Sequence, residues 1–257
     1  MSAGVRIMAI PDIPEIHPGD DLATCLGDGL AAMGGVEDHD ILAIAHKVVS
    51  KSEGCLVDLA TVTPSAEARR LAGALNKSPG KVEVILGEST RIVRAFRHPG
   101  QREGTLICEH RLGFISANAG VDESNAATEN TVITLPQDPD VSMQRLGRAL
   151  ESRFNRTLGL VMTDTFGRPW RLGQVNVAVG LYRVPARVSD IGTRDAWGRM
   201  LRVTEPALAD EIAAASGLVV RKAGRTPLVL MRGLDWVPDE STRTQDLLRT
   251  SEEDVFQ

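Results

Sequence analysis

Apolar and polar positions fall in blocks that read as short strands and amphipathic helices in irregular alternation. "VRIMAI" (5–10) before Pro11 predicts a strand, and "DDLATCLGDGLAAMGG" (20–35) a helix starting at Asp20 or Asp21 and ending at Gly34-Gly35. "DILAIAHKVVS" reads as a second strand that delivers Lys47 and Lys51 just beyond it, and "TPSAEARRLAGALN" as a capped helix. "KVEVILGESTRIVRAF" (81–96) reads as another helix, and "TLICEHRLGFISANAG" (105–120) as a hairpin running into the loop "NAGVDESN". "TVITLP" predicts a strand and "DPDVSMQRLGRALESRF" a helix opened by Asp138. The strand "TLGLVMT" then stops at Asp164. Strand-like "QVNVAVGLY" and "ARVSDIG", the helix "EPALADEIAAASG", the strand "PLVLMRG" and an acidic, partly helical tail follow.

No regular βα spacing, fixed-period repeat or Ser/Gly/Pro linker appears. The pattern therefore predicts an α+β fold with a mixed sheet in one domain over 1–257. A hydrophobic fraction of 42% supports a real core, and the net charge of -5 provides no general attraction for nucleic acid or an anionic membrane. Three scattered cysteines with no metal-ligand spacing read as reduced core residues of a cytoplasmic protein. Apolar runs all fall short of the roughly 20 residues a membrane span needs.

The P-loop, the dinucleotide-binding glycine pattern, Gly-x-Ser-x-Gly and His-Glu-x-x-His are all missing. Two loops remain, "SANAGVDESN" with Asn118, Asp122 and Asn125, and "TDTFGRPW" with Asp164 and Thr165. Each sets a carboxylate among hydroxyls, amides and glycines after an apolar run. Such hard oxygen donors suit Mg²⁺ or Mn²⁺ if the loops converge. Lys47, Lys51, Arg168 and Arg171 are placed to neutralise phosphate or a carboxylate. Taken singly, each loop also reads as an Asx-bonded turn, and each arginine as a solvated or surface-paired side chain.

In order and company, these blocks resemble the coenzyme F-420:L-glutamate ligases, also called coenzyme F-420-0 gamma-glutamyl ligases. "IPEIHPGDDLA", "HKVVSKSEG", "VTPSAEARRLA", "SANAGVDESN", "TDTFGRPWRLGQVNVAVG", "DAWGRMLRVTEPALADEIA", "PLVLMRG" and "SEEDVF" carry the likeness across nearly the whole chain. The resemblance implies that family's α+β fold as an intertwined homodimer, with no room for the C-terminal nitroreductase-like extension of some members. The implied activity is GTP-dependent amide formation between L-glutamate and the deazaflavin coenzyme F-420-0, followed by gamma-linked glutamates, through an acyl phosphate. It implies Mg²⁺ or Mn²⁺ at two sites, and K⁺.

By resemblance, Asp122 and Asp164 match metal ligands and Thr165 a second-metal ligand. Asn125, His46, Lys51 and the segment Ile13, Pro14, Glu15 and Ile16 match nucleotide contacts. Val220 matches a residue of the nucleotide site whose carbonyl reaches the metal. Arg168 and Arg171 remain candidates for a substrate anion. His46 stands where members carry Ser or Gln, and "VRKAG" departs from the family's glycine-rich stretch. The alternatives are a related gamma-glutamyl ligase with another acceptor and a non-catalytic GTP-binding homologue.

Overall fold

A computed structural model describes residues 4–123, 130–220, 226–250 and 252–254. Its strands are β1 (Arg6–Ala9), β2 (Asp40–Ala45), β3 (Leu56–Asp58), β4 (Ser89–Phe96), β5 (Thr105–His110), β6 (Ile115–Ala117), β7 (Thr131–Ile133), β8 (Leu158–Arg168), β9 (Arg171–Tyr182) and β10 (Leu228–Arg232). Its helices are α1 (Leu22–Ala32), α2 (His46–Ser52), α3 (Ala66–Leu75), α4 (Pro79–Gly87), α5 (Pro139–Phe154) and α6 (Leu208–Ser216).

The central sheet runs β1-β10-β2-β8-β9, with β2 and β8 parallel and the other neighbours antiparallel. β2 lies between two strands and has helices over both faces, so "DILAIA" is apolar at nearly every position. Leu42 and Ile44 join Leu160, Met162, Leu26 and Leu150 in one core with α1 and α5. Ile41, Ala43 and Val161 meet Ala209, Ile212 and Ala213 of α6 on the other face. Smaller sheets, β3-β7 and β4-β5-β6, pack with α3 and α4 around Leu71, Leu75, Ile85 and Leu106.

Local chemistry sets the helix ends. Asp21, Ser65 and Asp138 each accept a backbone N–H three residues on, and Asn76 and Asn155 close α3 and α5 in left-handed conformation. The predicted mixed α+β architecture is present, and several expected elements are corrected. The helix over 81–96 is α4 followed by β4, because Gly87 ends the helix and Thr90, Ile92 and Val93 favour extended backbone. Lys47 and Lys51 belong to α2, which begins where β2 stops. β8 does not end at Asp164 but runs on to Arg168 as an arm paired with β9. "ARVSDIG" forms no strand; its backbone instead bonds the 201–206 segment, with Val188 N–H donating to Pro206 and Asp190 N–H to Thr204.

Candidate active site

β2 leaves the sheet at Ala45, paired to Thr163, while β8 continues. A cleft of about 1160 Å³ opens where the two part. Its floor comes from β8 and β9, one wall from α2 and residues 13–16, another from the 116–122 loop, and a third from the end of α6.

The two candidate loops converge here. Asn118, Ala119 and Gly120 are successively left-handed (φ 54°, 48° and 67°), a turn that is strained at Ala119 and easy for glycine. This turn brings Gly120 against the Asp164 carboxylate: a Cβ there would lie 3.8 Å from Oδ2. Asp122 is held by a bridge to Ile133, donating its N–H at 3.1 Å and accepting at 2.8 Å.

Asp164 is mostly buried, and its Oδ1 accepts the Thr165 N–H at 2.6 Å. His46 opens α2 and is buried, with Nε2 3.4 Å from Asp164 Oδ1 and no hydrogen-bond partner among the described residues. Its Nδ1 lies 3.3 Å from Ser50 Oγ. Lys47 pairs with Asp122 at 2.6 Å, and buried Lys51 pairs with Glu15. Positions 47 and 51 are one helical turn apart, so one face of α2 presents both ammonium groups.

Asp164 and Thr165 alternate across the strand. Asp164 faces α2, whereas the Thr165 hydroxyl donates to Asn176 Oδ1 at 3.0 Å on the α6 side. Asn176 in turn donates to Ser216 Oγ at 3.2 Å, and Ser216 donates to the Ala213 carbonyl at 2.6 Å. With its proton committed to Asn176, Thr165 Oγ1 offers lone pairs to a cation.

Every site residue named from the sequence falls into three groups. Ile13, Pro14, Glu15, Ile16, His46, Lys47, Lys51, Asn118, Asp122, Asp164, Thr165 and Val220 line the cleft. Arg168 and Arg171 pair across the exposed tip of the β8–β9 arm and are not among its lining residues. Asn125 lies outside the described residues. Asn176 and Ser216 escaped sequence reasoning; the one available signal was an amide interrupting the apolar run "VNVAV".

The donor set fits a hard cation. Among the described residues no three His, Cys, Asp or Glu side chains cluster as a metal-binding group. The Asp122 and Asp164 carboxylates, completed by water or phosphate oxygens, match Mg²⁺ better than an all-protein cage, and the Thr165 hydroxyl offers a separate oxygen on the α6 side. The unpartnered imidazole nitrogen beside Asp164 marks a polar spot that the protein alone leaves incomplete. Thiol nucleophiles find no support, since burial pushes the Cys25, Cys55 and Cys108 thiols up and none of the three lines the cleft.

Next to Asp122 in the chain, Glu123 is tied to two buried lysines of the α3–α4 region through a shared network. Lys81 of α4 donates to Glu123 at 2.7 Å and to Glu103 at 3.0 Å, and Lys77 reaches Glu103 at 3.1 Å. Burial opposes charge on Lys81, but the hydrogen bonds it donates to Glu123 and Glu103 raise its pKa. Lys77 is lowered by burial and by Lys81.

Removing the Asn176 amide should disorient Thr165 while sparing the core. Asn176→Ala is expected to lower Mn²⁺ affinity by about 10–100-fold, measured by calorimetry on folded protein. Unchanged affinity would show that Thr165 needs no orienting partner.

Fold and cleft together define an α+β protein with a polar site at the parting of two parallel strands, rich in carboxylates and ammonium groups. The chain belongs to the F420-0:Gamma-glutamyl ligase family, whose model matches residues 11–233. It is 44% identical over 231 residues to the coenzyme F420:L-glutamate ligase of Methanopyrus kandleri, covering 90% of this chain and 87% of the relative. The enzyme of the same name from Methanothermobacter thermautotrophicus is 39% identical over 256 residues, covering 98% and 99%. That from Methanosarcina mazei is 34% identical over 251 residues, covering 97% and 94%.

Proposed function

We propose that this chain is a GTP-dependent ligase that joins L-glutamate to coenzyme F420-0 and then adds gamma-linked glutamates. The observation that carries the reading is the convergence of the Asp122 and Asp164 loops on one cleft with Lys47 and Lys51. Family membership supports the acceptor. Asp122, Asp164, Thr165 and the Val220 carbonyl would hold Mg²⁺ or Mn²⁺, with K⁺ as a further cation. Bound there, a divalent ion neutralises phosphate charge.

Phosphoryl transfer needs positioning and charge compensation more than a protein nucleophile. The chain supplies both. Residues 13–16 form a wall for the nucleotide, while Lys47 and Lys51 meet its phosphates. The acceptor carboxylate attacks the γ-phosphorus; the bond to the departing GDP breaks, and an acyl phosphate forms. The glutamate amine then attacks the acyl carbon, phosphate leaves, and the amine gives up a proton as the amide forms.

The β8–β9 arm supports a homodimer, because Trp170 and Leu172 at its tip are 82% and 99% exposed. A second copy covers them in this reading. Free thiols fit a reducing, cytoplasmic setting, and no helix among the described residues is long and apolar enough to cross a membrane.

The direct test incubates the protein with F420-0, L-glutamate, GTP and Mn²⁺ and follows product mass and GDP. One GDP per added glutamyl group is expected. Extension with ATP but not GTP would refute the nucleotide, and extension of another acceptor only would favour a related gamma-glutamyl ligase. GTP binding without any product would favour a non-catalytic homologue.

A further inference from the structure

We infer that Lys47 competes with the cation for Asp122, surrendering the carboxylate when phosphate takes the ammonium group. This rests on the reading of the cleft as a metal and nucleotide site, and assigns Lys47 a positioning role beyond it.

The geometry is specific. Lys47 Nζ lies 2.6 Å from Asp122 Oδ2, and the side chains are 18% and 33% exposed, so solvent screens the pair incompletely. A divalent ion bound at that oxygen would sit within a few ångströms of an ammonium group, and the two positive charges repel. Asp122 therefore cannot serve both at full strength. A phosphate group resolves the conflict by accepting Lys47 while its own oxygens complete the ion's shell.

Lys51 repeats the arrangement one turn along α2, with Glu15 as its partner. Glu15 belongs to the 13–16 wall, so phosphate that draws Lys51 away also releases that wall. Lys47 and Lys51 are thus both paired with carboxylates of the cleft. Metal and nucleotide each remove the obstacle to the other, which makes their binding mutually dependent. By linkage the enhancement is the same in both directions, with a typical size of about 5–150-fold.

The test titrates wild type, Lys47→Met and Lys47→Arg with Mn²⁺ alone, and with Mn²⁺ plus a non-hydrolysable GTP analogue, reading bound Mn²⁺ by electron paramagnetic resonance. Wild type is expected to bind Mn²⁺ weakly alone and at least about fivefold tighter with the analogue. Lys47→Met should bind Mn²⁺ alone more tightly than wild type and show a smaller enhancement, the remainder coming from phosphate oxygens that ligate the ion directly. Lys47→Arg keeps the charge and should behave like wild type. Lys47→Gln replaces the Met variant if the thermal melt shows α2 disturbed. Weaker or unchanged Mn²⁺ binding by the neutral variants would overturn the competition, as would Lys47→Arg binding Mn²⁺ as tightly as Lys47→Met. Asp164→Asn separates the two levels: if it binds Mn²⁺ as wild type does, the metal site itself is misplaced.

Discussion

Replacing Asp164 by Asn is expected to remove GTP turnover and leave the protein folded. The amide is close to isosteric, and its oxygen can still accept the Thr165 N–H that Oδ1 accepts at 2.6 Å. Backbone pairing with Val177 in the β8–β9 ladder is unaffected by the side chain. The substitution removes one negative charge from a mostly buried position, where charge counts for more than at the surface. Cation-assisted phosphoryl transfer draws several kcal/mol from such groups, so a loss of about 10³-fold or more in kcat/KM is expected, equivalent to roughly 4 kcal/mol. GDP release measured beside a thermal melt checks both halves. Turnover within about tenfold of wild type would remove Asp164 from the machinery.

The second large effect is on stability. Gly147→Ala in α5 should destabilise the fold, although alanine is the better helix former by about 1 kcal/mol. Gly147 faces β9 where the Tyr182 ring lies across the helix. A Cβ would sit 2.8 Å from ring Cγ and closer still to Cδ1 and Cε1. Tyr182 cannot easily retreat: it is 3% exposed, and its hydroxyl donates to Glu151 at 2.8 Å. Burial and that bond to Glu151 push its phenol up to about 12, so the neutral donor persists across the working pH range. Overpacking of this kind costs about 1–3 kcal/mol, and a broken buried hydrogen bond about 1–3 more, which together outweigh the propensity gain. Urea unfolding should show a net loss of about 2–4 kcal/mol with an unchanged slope. An unchanged or higher midpoint would show that the ring has room to move.

Capped helices were the most legible elements, because Asp21, Ser65 and Asp138 act within three residues of themselves. The α4–β4 boundary was not, since the apolar content of 81–96 suits either state and only pairing of β4 with β5 selects the strand. Past Asp164 the strand passes from half-buried Thr165 and Phe166 to exposed Gly167 and Arg168, so it lacks the period that would announce a strand. Both loops of the site were visible as donor-rich sequence. Their meeting was not, because it depends on the left-handed turn at 118–120 and on strands far apart in the chain. Asn176 interrupts the apolar run "VNVAV" and Ser216 ends the small-residue run "AAAS", and nothing local distinguishes either from a tolerated exception.

The early end of β2 divides the cleft into halves of unequal stiffness. Asp164 and Thr165 are fixed in a ladder with β9, so their conformational entropy was spent when the chain folded. Asp122 is tied by its bridge to Ile133 and by its ion pair with Lys47. One jaw of the site is thus an anvil and the other a follower: in the reaction proposed above, differences in substrate length would be taken up on the Asp122 side, while Asp164 and Thr165 keep their register on β8.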